Sequence, residues 1–135
     1  MPEYVLDSSA LLAYLYDEEG ANQTEEIVFS GEAVLIPFAA LMEVEYKVLQ
    51  EIPWRLPESL ATLKSWPVQI VESDPEWRSA AASVKATGKV SFADSWMAGL
   101  TLLRDAVLVH KDPEFDAIDD MKVVRLPYKQ RGSRS

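Results

Sequence analysis

This sequence predicts a three-layer α/β/α domain built on a mostly parallel central sheet of four to five strands. Three observations lead there. Short β-rich apolar runs alternate with longer stretches of helical character along the whole chain, the pattern of a parallel sheet covered on both faces. Turn and cap residues (Asp, Pro, Gly, Ser) punctuate nearly every change between the two. The 135 residues, 48% of them hydrophobic, suit one domain with a sizeable core and argue against disorder.

Taken in order, YVLD (4–7) is a strand that runs into Asp-Ser-Ser. ALLAYLY (10–16) follows with helical spacing and with Ser8 or Ser9 as its cap. Residues 17–31 read as an acidic turn and a second helix that Gly31 ends. AVLIP (33–37) is a strand stopped by Pro37, and FAALMEVEYKVLQE (38–51) is strongly helical. Pro53 and Pro57 break what comes next, before a short helix over 58–66 and a strand at 68–71. Asp74 caps a helix over 75–87 that opens with Pro75 and ends at Gly88. Ser91 caps a further helix over 91–105, and AVLVH (106–110) is a strand. A turn at 112–118 then leads to the strand KVVRL (122–126). No repeat or linker divides the chain. The domain is expected to span 1–126, with 127–135 a basic, flexible tail containing Lys129, Arg131 and Arg134.

The 22 acidic and 13 basic residues give a net charge of −9, awkward for a protein that binds nucleic acid through a general basic surface. Such a balance suits metal binding, a basic partner or simple solubility. With no cysteine, disulfides and thiolate metal sites are absent, and a reducing cytoplasm is compatible. No apolar run reaches the roughly 20 residues of a membrane helix, and no signal-peptide pattern opens the chain. A single histidine excludes sites built on several imidazoles. There is no G-x-S-x-G elbow, no GxxxxGK[ST] and no GxGxxG, and the five glycines leave little for a phosphate cradle. The tryptophans at 54, 66, 77 and 96 are scattered, as core or interface residues are.

Four carboxylates stand out by position. Asp7 and Asp112 follow strand-like runs, at the sheet end where an open α/β sheet places its ligand crevice. Glu43 and Asp94 lie early in helical segments. Each has an ordinary explanation when read alone: Asp7 as an N-cap or turn residue, Glu43 as an acid at the edge of an apolar stripe, Asp94 as a first-turn residue favoured by the helix dipole, Asp112 as a turn acid before Pro113. Together, four acids in one crevice would raise each other's pKa unless a hard divalent cation with oxygen ligands relieved the repulsion. Asp116 lies close enough in sequence to share the Asp112 loop. His110 is placed for packing at a strand end, and Lys85, Lys89 and Lys111 flank the last two acids.

The chain resembles the PIN-domain endoribonucleases, especially the toxin subunits of VapBC toxin–antitoxin pairs. The resemblance covers about residues 3–126 and is carried by VLDSSALLAYL, LIPFAALMEVEYKVL, SFADSWMAG and LVHKDPEFDAI. It implies an acidic pocket of Asp7, Glu43, Asp94 and Asp112 that binds Mg2+ or Mn2+ and hydrolyses RNA phosphodiester bonds, with Asp116 as an additional ligand. It also implies that Ser8 or Ser9 reaches metal or phosphate, and that the protein is a homodimer restrained by a small antitoxin. One departure is His110, where many relatives carry Thr, Ser or Asn. Metal-assisted hydrolysis needs no side-chain nucleophile, in keeping with this composition. An aspartyl phosphatase would need a second Asp where Ser9 stands. A PIN nuclease of RNA processing or decay, and a non-catalytic binding module, remain as alternatives.

Overall fold

The computed structural model describes residues 2–128. Five strands lie within them: β1 (Glu3–Leu6), β2 (Ala33–Pro37), β3 (Gln69–Val71), β4 (Val107–His110) and β5 (Lys122–Arg125). They form one sheet in the order β3-β2-β1-β4-β5, and every pairing is parallel. Six α-helices connect or flank them: α1 (Ser8–Leu15), α2 (Ala21–Val28), α3 (Phe38–Glu51), α4 (Leu56–Ser65), α5 (Pro75–Ala86) and α6 (Phe92–Leu103). The predicted three-layer α/β/α architecture is the observed one.

The strand order places the site. From β1 the chain builds outward through β2 to β3, then returns to the other side of β1 for β4 and β5. The order therefore reverses between β1 and β4, and the crevice at such a switch point opens at the carboxyl ends of the strands. Asp7 leaves β1 there and Asp112 follows β4. Val5, Leu6, Leu108 and Val109 are wholly buried, so both strands are clamped in the core and their ends are fixed. The register aligns Leu6 with Val109, which brings the two exits side by side.

Two local expectations are revised. Asp7 itself caps α1, by accepting the amide of Ser9, instead of Ser8 or Ser9 acting as the cap. Pro57 does not break a helix: it occupies the first turn of α4, where a missing N–H has no partner to lose. A short 3₁₀ turn at Pro53–Arg55 precedes it. The Tyr128 ring lies 6.1 Å from His110, and its hydroxyl donates to Asp116. Residues 129–135 of the expected basic tail lie outside the described residues.

An aromatic and small-residue junction sets the position of α6, which carries Asp94. The Trp77 indole on α5 donates to the Trp96 carbonyl at 2.8 Å, and the Trp77, Trp96 and Phe38 rings meet edge to face at 5.0–5.5 Å. Behind them α5 and α6 approach so closely that a Cβ on Gly99 would lie 2.7 Å from the Cα and N of Ala81. Only glycine fits. Gly99→Ala is expected to destabilise the protein by about 1–3 kcal/mol through forced separation of the helices. Denaturant unfolding measures it, and an unchanged midpoint would refute the close crossing.

Candidate active site

Each acid is positioned by a separate element. Asp7 is the extended residue between β1 and α1, and its backbone N–H donates to Val109 on β4 at 3.0 Å. Its Oδ2 accepts the Ser9 amide at 3.0 Å and also the Ser9 hydroxyl, which in turn accepts the Lys111 amide at 2.8 Å. Its Oδ1 is buried and finds no hydrogen-bond partner among the described residues. The cap and ligand roles therefore do not compete: one oxygen caps the helix and the other is free.

Glu43 lies in the second turn of α3, half-buried, and its Oε1 accepts the Ser8 hydroxyl at 2.9 Å. Asp94 is the third residue of α6 and is buried at 6% exposure. Its amide donates to the Ser91 hydroxyl cap at 3.2 Å, which fixes the helix start. One carboxylate oxygen from each of Asp7, Glu43 and Asp94 lies within 4.8 Å of the other two. Asp112 is not one of these three, but it raises the pKa of Asp94 and its charge raises that of Asp7. Its Oδ1 also accepts the Glu114 amide at 2.9 Å, capping the 3₁₀ turn Pro113–Ala117.

Asp116 stands apart from this group. It is exposed, 2.5 Å from the Arg125 guanidinium, and accepts the Tyr128 hydroxyl at 3.1 Å. Glu114, which the sequence reading passed over, is the closer neighbour. Its Oε1 accepts the Ser91 amide at 2.5 Å, and its carboxyl helps raise the pKa of Asp94. The signal was the acid two residues after Asp112: the tight turn started by Pro113 folds that position back toward the cluster. Two of the lysines that flank the last two acids are committed elsewhere. Lys111 is held by Glu18 and the Glu19 carbonyl with its side chain 9% exposed, and the Lys85 ammonium donates to the Val90 carbonyl.

Crowding and dryness set the electrostatics. Burial, opposed by the Ser9 hydrogen bonds and reinforced by Glu43 and Asp112, pushes Asp7 up to about 7. Burial, then the Asp7 charge and the contacts with Glu114 and Asp112, pushes Asp94 up to about 9. Glu114 moves down, held by the Ser91 amide and by a proton on Asp94. The site thus holds protons where water-exposed acids hold none. A buried, unpartnered carboxylate oxygen beside two further carboxylates is the donor set that a hard divalent cation takes, and it fits Mg2+ or Mn2+ by chemistry.

The PIN domain family model matches residues 4–121. The chain belongs to the PIN domain family. Solved structures share this PIN fold at low sequence identity. VapBC2 from Rickettsia felis, solved with a fragment of its promoter DNA, is 14% identical, with 92% of this chain and 98% of that one covered at a TM-score of 0.76. DNA-bound VapBC from Salmonella typhimurium is 19% identical, with coverages of 93% and 98% and a TM-score of 0.71. VapC20 from Mycobacterium tuberculosis, a toxin that cleaves the sarcin–ricin loop, is 14% identical, with coverages of 93% and 100% and a TM-score of 0.71. No curated protein matches the sequence.

The raised acids dictate how the metal-free PIN domain responds to pH. In the unfolded chain Asp7 and Asp94 lose their protons near the ordinary value of 3.8, whereas the folded protein keeps them to about 7 and about 9. Between those limits the folded state binds more protons, so its stability falls as pH rises. Glu114 acts in the opposite sense, but only below the ordinary glutamate range. In EDTA the melting temperature is expected to drop from about pH 5 to about pH 8.5. Asp94→Asn is expected to flatten the drop and melt higher at the alkaline end. A wild-type melting temperature independent of pH would refute this account of the cluster.

Proposed function

We propose that this PIN domain is a Mg2+- or Mn2+-dependent endoribonuclease and the toxin of a type II toxin–antitoxin pair. The observation that carries the nuclease reading is the convergence of Asp7, Glu43 and Asp94, with an unpartnered Asp7 oxygen, at the sheet's switch point. Asp7, Glu43 and Asp94 would hold the cation, with Asp112 beside them; Asp116 is the remaining candidate ligand. When bound, a divalent cation supplies Lewis acidity toward the phosphate and acidifies water. The chain's own residues do the rest. Ser9 fixes one Asp7 oxygen and leaves the other toward the cluster, Ser8 orients Glu43, and Ser91 fixes the start of the helix that bears Asp94. The chain has no cysteine, and its single imidazole is committed through Nδ1 to the Asp112 amide, so hydrolysis would rely on positioned carboxylates.

The toxin assignment draws on the VapBC structures that share the fold. A small antitoxin with a basic segment would complement a chain of net charge −9. Homodimerisation is supported by large apolar side chains left open on α3 and α6, among them Met42 at 62% exposure, Leu49 at 51% and Phe92 at 68%. Among the described residues no helix is long and apolar enough to cross a membrane; the proposed toxin would act on RNA in the cytoplasm.

The test is cleavage of a mixed cellular RNA pool by the purified protein, in Mg2+ or Mn2+ and in EDTA. Metal-dependent cutting is expected. Asp7→Asn and Asp94→Asn are each expected to reduce it by more than the about 10–100-fold that losing an outer-shell partner costs. Both variants should remain folded by circular dichroism. Undiminished cutting by both variants would overturn the site. A small DNA-binding reading frame beside the gene separates a toxin from a PIN nuclease of RNA maturation.

A further inference from the structure

His110 ends β4 and is wholly buried, although it touches no carboxylate through a ring N–H. Its Nδ1 accepts the backbone N–H of Asp112 at 3.1 Å. A ring nitrogen that accepts is unprotonated, so the neutral imidazole carries its hydrogen on Nε2. That Nε2 is buried and has no partner among the described residues. The ring has little freedom to turn: Phe115 lies 5.0 Å away and Tyr128 6.1 Å, centroid to centroid. Its main chain is pinned as well, since its carbonyl accepts the Leu126 amide at 2.8 Å.

Packing alone does not account for an imidazole here. An apolar side chain of similar size would fill the space without leaving a buried N–H unpaired. What such a side chain would lack is the acceptor for the Asp112 amide. That amide opens the segment in which Asp112 Oδ1 accepts the Glu114 amide and the Glu114 carboxyl accepts the amide of Ser91, the cap of the helix that bears Asp94.

We propose that His110 is a positioning residue of the acid cluster: its Nδ1 holds the Asp112 backbone and so aims the Asp112 and Glu114 carboxylates at Asp94. What Asp112 then does rests on the metal-nuclease reading, but the hydrogen bond and its effect on metal affinity are measurable without RNA.

The experiment uses the full chain, labelled with 15N and studied in EDTA. The His110 ring should show a protonated Nε2 and an unprotonated Nδ1. A nitrogen–nitrogen coupling should connect Nδ1 with the Asp112 amide. Mn2+ affinity is then read by electron paramagnetic resonance for wild type, His110→Asn, which keeps an acceptor oxygen, and His110→Leu, which has none. His110→Leu should bind Mn2+ about 10-fold more weakly or worse, and His110→Asn should restore most of the affinity. A ring protonated on Nδ1, a folded His110→Leu that binds Mn2+ like wild type, or equal losses in both variants would overturn the positioning role. Should His110→Leu fail to fold, the ring tautomer, the coupling and the Asn variant decide. Absence of Mn2+ binding by the wild type would overturn the metal reading and this role together, whereas normal wild-type binding with an indifferent Leu variant overturns this role alone.

Discussion

Mutual repulsion among buried carboxylates is the constraint around which this domain is arranged. Asp7 and Asp94 are nearly removed from solvent, Glu43 is half-buried, and Asp112 and Glu114 press on the same spot. Such a group would relax apart if its members shared a flexible loop. Instead Asp7 leaves a strand end, Asp94 sits at a helix start and Glu43 lies in the second turn of a helix. β1 and β4 are locked by core residues, α6 is locked by the Trp77–Trp96–Phe38 contacts and by the Gly99–Ala81 crossing, and α3 is anchored by wholly buried Val44 and Val48. The packing far from the acids is what keeps the acids near one another.

Three serines carry out the local work, each by a different route. Ser91 caps α6 and sets the height of Asp94, Ser8 donates to Glu43 across from α1 to α3, and Ser9 relays the Lys111 amide to Asp7. A hydroxyl suits this role because it donates to a carboxylate and still accepts from an amide. The serines compensate only part of the charge. The remaining relief in the metal-free protein comes from protons held on Asp7 and Asp94. A cation would replace those protons, so metal binding and proton release are coupled at this site.

Much of this was legible from the residues. Alternating apolar runs and helical stretches point to the parallel sheet, because a helix between successive strands carries the chain back over one face of the sheet and covers it. Strand-end acids at 7 and 112 and first-turn or second-turn acids at 43 and 94 mark one crevice once the strand order is known. What the sequence hides is how a short turn folds. Asp116 is one helical turn from Asp112 in the chain, yet the 3₁₀ geometry sends it to Arg125 and Tyr128 and brings Glu114 inward. The cap of α1 was hidden for a similar reason: Asp7 and two serines can all cap, and the choice depends on β4 receiving the Asp7 amide, a contact between residues 102 apart. Lysine roles were hidden too, since the partners Glu18 and Val90 are settled only by the tertiary fold.

On the proposed reading the acidic balance of the chain becomes part of the chemistry. A phosphodiester approaching a metal-free cluster would meet several carboxylates in a poorly solvated pocket, where charges act far more strongly than in water. The same phosphate approaching a cation held by those carboxylates would meet a site whose local charge is reduced or reversed. Substrate and metal affinities must then be thermodynamically linked, each strengthening the other by the same factor. A basic antitoxin segment would exploit the opposite state: it can enter the acidic pocket as a counter-ion in the cation's place. Retaining so many negative charges around one crevice therefore gives the domain two ways to be neutralised, one that opens it to phosphate and one that closes it.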